Sequence, residues 1–317
     1  MACRYCIAAS AREGKINAMC RLVGLIRATE TAIPSWYHLV GAPNSLRKQA
    51  VTGRVPEGTE SGHTDSWGIG WFDDKNDVSL IRQTGSASDS AFFVFAAETA
   101  SRGGAASGVG KIVLGHLRKA SVGGVSSENA HPIRADYHPA SSGESSGRPY
   151  DTLLVAHNGT IRKPLLDFLR QEVMDSGREE GRAESDTVLL SGYLAHCLAT
   201  APTGDTFAAL SDALRELFET ARFVAAGVAD GDLTKMYSGV NLLLAHPSGL
   251  YALRQFSANA DYYTLFARPL TPDGDEGASG YLIASEPTDE KPQWEPLTPG
   301  MLTHFAPDGT VRTVMVG

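Results

Sequence analysis

The sequence predicts one α+β domain built from layers, with largely antiparallel sheets. Two observations predict this class. Strand-like runs fill both ends of the 317-residue chain, and helical periodicity is concentrated in its middle. This order excludes the regular alternation of strands and helices that is typical of a parallel sheet. The loops rich in Gly, Ser or charge are too short and too ordinary in composition to separate two domains, so the prediction is a single one.

The predicted strands are strand-like runs bounded by turn residues. They are Cys20–Ile26, Trp67–Phe72, Val78–Arg82, Lys111–Leu117, Thr152–His157, Phe223–Val228, Val240–Ala245, Tyr281–Ala284, Met301–Phe305 and Val311–Val316.

The predicted helices carry apolar residues at helical spacing. The clearest is Thr206–Arg222, with Asp205 as its N-cap and one stripe of apolar side chains. A second helix follows Asp186, a third begins near Pro164, and a weaker one covers Asp89–Ser101.

Composition and charge exclude several functional classes. Lys and Arg total 28 and Asp and Glu total 36, which gives a net charge of −8 and no footprint for nucleic acid or anionic lipid. No apolar run approaches the ~20 residues that span a bilayer, and the N-terminus lacks the pattern of a signal peptide. Four Cys are too few for a secreted disulfide scaffold. We therefore expect a cytoplasmic protein that binds neither nucleic acid nor membranes.

Cys20 is the first candidate catalytic residue, because Met19 precedes it. A start at Met19, or removal of residues 1–19, would make Cys20 the mature N-terminus. An α-amine titrates near about 8 and a thiol near about 8.5, so the free amine is a usable general base for its own thiol at neutral pH. A peptide nitrogen has no such basicity. Without a free end, Cys20 is a buried core thiol.

Five further segments follow in a characteristic order. They are His63-Thr64-Asp65-Ser66-Trp67-Gly68, Gly115-His116-Leu117-Arg118, Asn129-Ala130-His131-Pro132, Ala156-His157-Asn158-Gly159 and Ser185-Asp186-Thr187. Each is weak alone, since Asn-Gly is usually a turn and Ser-Asp before a helix is usually a cap. Together with Cys20 they resemble the class II glutamine amidotransferases, a branch of the N-terminal-nucleophile hydrolases. The resemblance is closest to stand-alone members, some of which are γ-glutamyl hydrolases, and it extends to Leu282–Pro287.

The resemblance implies a four-layer αββα sandwich of two mainly antiparallel sheets, and it assigns roles. Cys20 would attack the side-chain amide of glutamine or of another γ-glutamyl compound and form a thioester. Asn158 and the Gly159 N–H would form the oxyanion hole. Arg118, assisted by Ser121, would bind the substrate α-carboxylate, and Asp186 would bind the α-ammonium. The supporting residues would be His131, His157, Asp65 and Trp67.

Three departures from the family pattern concern the substrate loop, position 66 and the N-terminus. Lys119-Ala120-Ser121-Val122 stand where the glucosamine-synthase branch has Trp-Ala-Thr-His, and Ser66 replaces a usual Gly. Residues 1–19 would be a leader, a propeptide or a mis-annotated start, and residues 20–317 the amidotransferase-type domain. The spacing of His63, Asp65, His116 and His131 matches no metal motif, so we expect no metal and no other cofactor.

Four alternatives remain at this stage. The protein is a stand-alone γ-glutamyl hydrolase, which we favour, or an ammonia-donating subunit of a separate synthase. It could instead be a non-catalytic γ-glutamyl-binding protein. The sequence contains no P-loop-like segment of a synthetase. A papain-like protease fits least, because neither the Cys nor the His surroundings resemble that family.

Overall fold

The computed structural model describes residues 20–27, 35–55, 61–104, 108–119, 124–140, 150–270 and 279–317. Its strands are β1 Arg21–Arg27, β2 Ser66–Asp73, β3 Val78–Thr84, β4 Gly110–Arg118, β5 Ile133–Tyr137, β6 Asp151–Ile161, β7 Tyr237–His246, β8 Gly249–Leu253, β9 Phe266–Leu270, β10 Gly280–Ala284, β11 Glu295–Pro296, β12 Met301–Phe305 and β13 Val311–Met315. Its α-helices are α1 Leu46–Thr52, α2 Ala91–Arg102, α3 Lys163–Asp175, α4 Asp186–Thr200 and α5 Thr206–Val228.

The described strands form two sheets in which neighbouring strands pair antiparallel. The first has the order β11-β9-β10-β1-β4-β2-β3, and the second has the order β13-β12-β8-β7-β6-β5. In the first sheet β1 lies between β10 and β4, and in the second β6 lies between β7 and β5. Both strands are therefore interior, which gives the site a rigid support.

The sheets pack face to face, and side-chain alternation along each strand separates the cores. On β1, Leu22 and Ile26 join the core between the sheets, whereas Val23 and Leu25 join the core that faces α1 and α2. The outer face of the second sheet packs on α3, α4 and α5. The layers are helix, sheet, sheet and helix, which confirms the predicted αββα sandwich. None of the helices in the described ranges has the length and apolarity needed to cross a bilayer.

One predicted strand is wrong. Residues 223–228 form the last turns of α5, which continues from its Asp205 cap. Ala221 and Ala225 are buried at helical spacing, while Phe223 and Val228 are 82% and 70% exposed. The apolar composition of this segment resembles a strand, but its packing follows the helical repeat of the preceding turns.

Candidate active site

Strand alternation brings three predicted site residues to one end of the space between the sheets. Cys20 precedes β1 and continues the inward-facing series of Leu22, and Arg118 ends the inward-facing series of β4. Arg21 pairs with Leu117, so one further step in this antiparallel register sets Cys20 beside Arg118. Asn158 continues the inward-facing series of β6 in the opposite sheet.

A hydrogen bond joins the two sheets at this point. The backbone nitrogen of Cys20 donates to Oδ1 of Asn158 over 3.1 Å. The Asn158 side chain is fully buried, and its Nδ2 has no hydrogen-bond partner among the described residues. A buried donor without a partner is costly and marks a place where a ligand acceptor would be stabilised. Nδ2 is therefore available to a substrate oxygen next to Cys20.

Gly159 occupies a position that accepts only glycine. Its φ is +143°, and a Cβ atom there would come within 1.9 Å of the Gly239 carbonyl oxygen. The register between β6 and β7 shifts between Gly159 and Ile161, so the chain bulges directly after Gly159. The predicted second oxyanion donor thus belongs to an irregular peptide next to the Asn158 amide.

Asp186 is tied to the same stretch of β6. It is the first residue of α4, and its Oδ2 accepts a hydrogen bond from the Ile161 nitrogen at 2.9 Å. Its Oδ1 accepts from the Thr187 nitrogen at 2.8 Å. A carboxylate offers about four acceptor positions, so capacity remains for a substrate ammonium.

The Cys20 thiol is protonated at neutral pH. Burial raises its pKa to about 11, against the lowering effects of a Lys119 backbone hydrogen bond and of the Arg118 and Arg21 charges, while the Asp186 charge raises it further. Among the described residues, its only hydrogen bond is a 4.0 Å contact from Sγ to the Lys119 carbonyl oxygen. A nucleophile of this kind needs a general base within reach.

Three buried histidines support the peptide that leads to Asn158. His131 Nδ1 lies 3.1 Å from His116 Nε2, and His116 Nε2 lies 3.3 Å from the His157 carbonyl oxygen. His157 Nε2 donates to the Gly239 carbonyl oxygen at 3.2 Å, and its Nδ1 lies 3.0 Å from Thr187 Oγ1. Burial lowers the pKa of His116 to about 3 and that of His131 well below its usual range. His116 and His131 are therefore neutral structural groups at neutral pH.

The other predicted residues lie at different distances from this centre. The Asp65 nitrogen donates to the Arg118 carbonyl at 3.2 Å, which fixes the end of β4. Trp67 points to the opposite face of its sheet and packs edge-on against Phe93, with ring centroids 5.2 Å apart. Ser121 and residues 1–19 lie outside the described residues.

Sequence reasoning missed two side chains next to Cys20. Arg21 donates through Nη1 to the Cys20 carbonyl oxygen at 2.9 Å. Tyr263 is buried, and its pKa is raised chiefly by burial and also by the Cys20 charge. A buried Arg directly after the Cys is visible in the sequence, because an Arg interrupts an apolar run there. Tyr263 gives no comparable signal.

Comparisons with known proteins place the chain among amidotransferases. The family profile described as class-II glutamine amidotransferases matches residues 49–316, a range that begins after Cys20. We found no match among curated protein sequences.

The fold is similar to that of solved structures. Glutamine phosphoribosylpyrophosphate amidotransferase from B. subtilis matches with a TM-score of 0.55 and 16% identity, over 94% of this chain and 49% of that one. A structure described as the allosteric regulatory enzyme of purine biosynthesis matches with a TM-score of 0.56, 16% identity and the same coverages. The chain thus spans about half the length of these two proteins. A glutamine aminotransferase class-II domain protein from Silicibacter pomeroyi matches with a TM-score of 0.51 and 13% identity, over 93% of this chain and 99% of that one.

Proposed function

Because the chain belongs to the class II glutamine amidotransferases, we propose that it hydrolyses the side-chain amide of glutamine or of a related γ-glutamyl compound, with Cys20 as the nucleophile. The observation that carries this proposal is the pairing of Cys20 with Asn158, in which the amide Nδ2 is left without a partner among the described residues.

The proposed reaction proceeds through a thioester. The free α-amine of Cys20 removes the thiol proton, and Sγ attacks the γ-carbonyl carbon. The negative charge on the carbonyl oxygen is stabilised by Asn158 Nδ2 and the Gly159 N–H. Collapse breaks the C–N bond, and the leaving amine takes the proton from the Cys20 ammonium. Water then attacks the thioester with the amine again as base, which releases glutamate and restores the thiol.

This mechanism needs a free amine on Cys20, so we propose that residues 1–19 are absent from the working enzyme. Two facts support this. The thiol is protonated at neutral pH because burial raises its pKa to about 11. Among the described residues, no imidazole forms a hydrogen bond with Sγ. The α-amine is the base that remains on the same residue.

The substrate would be recognised as an amino acid. Arg118, with Ser121, binds the α-carboxylate and Asp186 binds the α-ammonium. The supporting residues act indirectly: Asp65 holds the Arg118 carbonyl, and His131 and His157 hold the peptide that leads to Asn158. Trp67 packs on the helix-facing side of its strand and supports the sheet. The proposal is supported by the electrostatic effects of both Arg118 and Asp186 on the thiol. Two opposite charges that both act on the thiol suit a zwitterionic head group. A catalytic thiol also favours a reducing compartment, and we propose the cytoplasm.

We propose water as the acceptor, which makes the protein a stand-alone hydrolase. The resemblance of the sequence to stand-alone members of the family supports this. An ammonia-consuming synthase partner is the competing possibility. Addition of candidate synthases distinguishes the two, since a donor subunit would increase its glutaminase turnover by orders of magnitude with the partner present.

The test combines a mass measurement with a release assay. The intact mass of the active protein is expected to equal that of a chain that begins at Cys20. Release of glutamate from glutamine, glutathione and other γ-glutamyl compounds is expected in this form and is expected to disappear in Cys20→Ala. The matched control is Cys197→Ala, the other free cysteine of the described chain. Unchanged hydrolysis in Cys20→Ala would refute the nucleophile, and ligand binding without turnover in the wild type would indicate a binding protein.

A further inference from the structure

Arg21 is a charged side chain that the fold buries directly behind the nucleophilic residue. It is 1% exposed and lies on the face of β1 opposite to that of Cys20. Nη1 donates to the Cys20 carbonyl oxygen at 2.9 Å, and Nη2 donates to the Arg54 carbonyl oxygen. Its Nε forms an ion pair with Glu286 Oε1 at 2.6 Å. Each nitrogen of the guanidinium thus has a defined contact.

The partner carboxylate is also held in place. Glu286 Oε1 accepts a hydrogen bond from the Arg54 nitrogen at 2.8 Å. The neighbouring Ser285 bonds Leu22 twice, since its Oγ accepts from the Leu22 nitrogen at 3.0 Å and its own nitrogen donates to the Leu22 carbonyl at 2.9 Å. The start of β1 is therefore fixed to the segment that follows β10.

Cys20 is consequently held at both backbone ends. Asn158 binds its nitrogen, and Arg21 binds its carbonyl oxygen. A terminal residue has one peptide bond and frays unless other contacts hold it. A charge-assisted bond to the carbonyl is a strong contact of this kind. It restricts rotation of the terminal residue while leaving its nitrogen and its sulfur free to react.

The guanidinium also lies close to the Cys20 nitrogen. The backbone nitrogen and oxygen of one residue are less than about 4 Å apart, so Nη1 is within roughly 7 Å of the Cys20 nitrogen. Positive charge at this distance disfavours an ammonium and favours the neutral amine. The other groups that act on Cys20 are Arg118 from β4, Asp186 from α4 and Tyr263 from the segment before β9. Glu286 contacts the guanidinium through Nε, whereas the Cys20 carbonyl oxygen contacts it through Nη1.

We propose that Arg21 is a positioning residue that holds Cys20 by its carbonyl oxygen and keeps the α-amine of Cys20 in its neutral, proton-accepting form, with Glu286 as the counter-charge. The inference rests on the proposed function, because it assigns this role to an amine that must be free.

The test uses neutral isosteres and the pH profile of kcat/KM, whose acidic limb reports the base of the free enzyme. Arg21→Gln is expected to move that limb up by roughly half to one pH unit, because a nearby positive charge is lost. Glu286→Gln is expected to move it down, because the remaining guanidinium loses its counter-charge. Since each single variant leaves a buried charge unpaired, Arg21→Gln/Glu286→Gln is included as a neutral pair. It is expected to shift the limb up by less than Arg21→Gln, because the lost positive charge is the nearer one.

Two further variants separate charge from geometry. Arg21→Lys keeps the charge, so the limb stays in place, but one ammonium cannot hold two carbonyls and a carboxylate in the same way and kcat falls about tenfold. Arg27→Gln is the matched control at the other end of β1. Arg27 also donates to a backbone carbonyl, that of Gly110 at 2.9 Å, and pairs with Asp74 at 3.2 Å. Arg27 lies seven residues from Cys20, roughly 23 Å along the strand. Its substitution leaves the acidic limb of the pH profile unchanged.

Opposite shifts in Arg21→Gln and Glu286→Gln support the proposal. Shifts in the same direction, or lower melting temperatures with no shift, overturn it and leave Arg21 as a structural ion pair. Failure of the proposed function gives a different result, namely no hydrolysis by the wild type in the same assay.

Discussion

The Cys20 backbone nitrogen and the Asn158 side-chain oxygen lie 3.1 Å apart across the two sheets, and the amide nitrogen of the same Asn158 has no partner among the described residues. These two amide atoms belong to one planar group. Any rotation that moves the nitrogen away from the reacting carbonyl therefore also breaks the bond that positions the nucleophilic residue. In the proposed mechanism, Asn158 therefore couples the position of the nucleophile to that of the oxyanion donor.

Replacement of Asn158 separates these two roles. Asn158→Asp keeps an oxygen for the Cys20 nitrogen but loses the Nδ2 donor and adds a charge that repels the oxyanion. We expect kcat for glutamine to fall by about 10²–10³, or ~3–4 kcal/mol in the transition state, with a smaller change in KM. Steady-state kinetics measure both. Asn259→Asp is a control at an exposed turn. An unchanged kcat in Asn158→Asp would show that the oxyanion is bound elsewhere.

Arg118 and Asp186 are expected to act on the amino-acid head of the substrate. Arg118→Gln should raise KM for glutamine by about 10- to 100-fold, because one charge-assisted pair contributes ~1.5–3 kcal/mol. Asp186→Asn should have a similar effect, since its oxygen can still accept from the Ile161 nitrogen. Inhibition constants for glutamate give the same comparison without turnover.

A truncated substrate provides the control for this prediction. 4-Aminobutanamide lacks the α-carboxylate, so wild type and Arg118→Gln should hydrolyse it with the same low kcat/KM. The difference in kcat/KM that the two proteins show with glutamine should therefore be absent with 4-aminobutanamide. A further loss of the same size in Arg118→Gln with this substrate would place the guanidinium away from the α-carboxylate.

Much of the fold and of the candidate site could be predicted because the signals are local. A Cys at the start of an apolar run, Asn-Gly at the end of another and Ser-Asp before a helix each fix a residue to the end of an element. The strand repeat then sends Arg118 and Asn158 towards the same space, because each is an even number of positions from an inward-facing core residue. The resemblance to the family predicted that the ends of these elements come together in one site.

The remainder depends on contacts between distant segments. β5, β8, β9 and β11 were not predicted. β5 alternates buried residues with the exposed Arg134 and Asp136, β8 is continuously buried, and β11 has only two residues. Each becomes recognisable as a strand through its pairing with a neighbouring strand. The ion pair of Arg21 with Glu286 joins residues that are far apart in the sequence, and no periodicity predicts it. Tyr263 approaches the site because its ring packs on Gly239, which is likewise a tertiary contact.

Gly239 offers a test of how the oxyanion peptide is held. A Cβ atom at Gly239 would lie 2.4 Å from Cε1 of Tyr263. The Gly239 carbonyl oxygen already occupies the place where a side chain at position 159 would start. Gly239→Ala must therefore displace either the Tyr263 ring or the bulged part of β6 that begins at Gly159. We expect kcat to fall by about 10- to 100-fold, since small displacements of donors have effects of this size.

The compensating change is a smaller side chain at position 263. Tyr263→Leu in the Gly239→Ala background should recover part of the lost kcat, because the clash is relieved. Gly227→Ala is the control, since a Cβ atom at this exposed helical position meets nothing within 4 Å. If the double variant is as slow as Gly239→Ala alone, the ring is not what transmits the change to Gly159.

The buried histidines predict an acid-sensitive fold. Burial lowers the pKa of His38 to about 4 and those of His116 and His246 to about 3, from an ordinary value of 6.5. Below pH 6.5 the unfolded chain therefore binds more protons than the folded chain. Their contribution to stability is complete above about pH 6.5 and is lost as the pH falls towards the folded values. As the pH falls through this range, each such group lowers the free energy of unfolding by up to ~1.4 kcal/mol per pH unit.

His246 allows this effect to be measured far from the catalytic residues. Its Nε2 lies 3.0 Å from the Tyr137 hydroxyl and its Nδ1 lies 2.6 Å from Ser248 Oγ, contacts that a Gln side chain can replace without titrating. Urea unfolding at pH 7, 6 and 5 should show a shallower decline for His246→Gln, by up to ~1.4 kcal/mol per pH unit. His138→Gln, at an exposed position, should keep the wild-type slope. Equal slopes in all three proteins would mean that His246 titrates alike in the folded and unfolded chains, and that its burial does not exclude the proton.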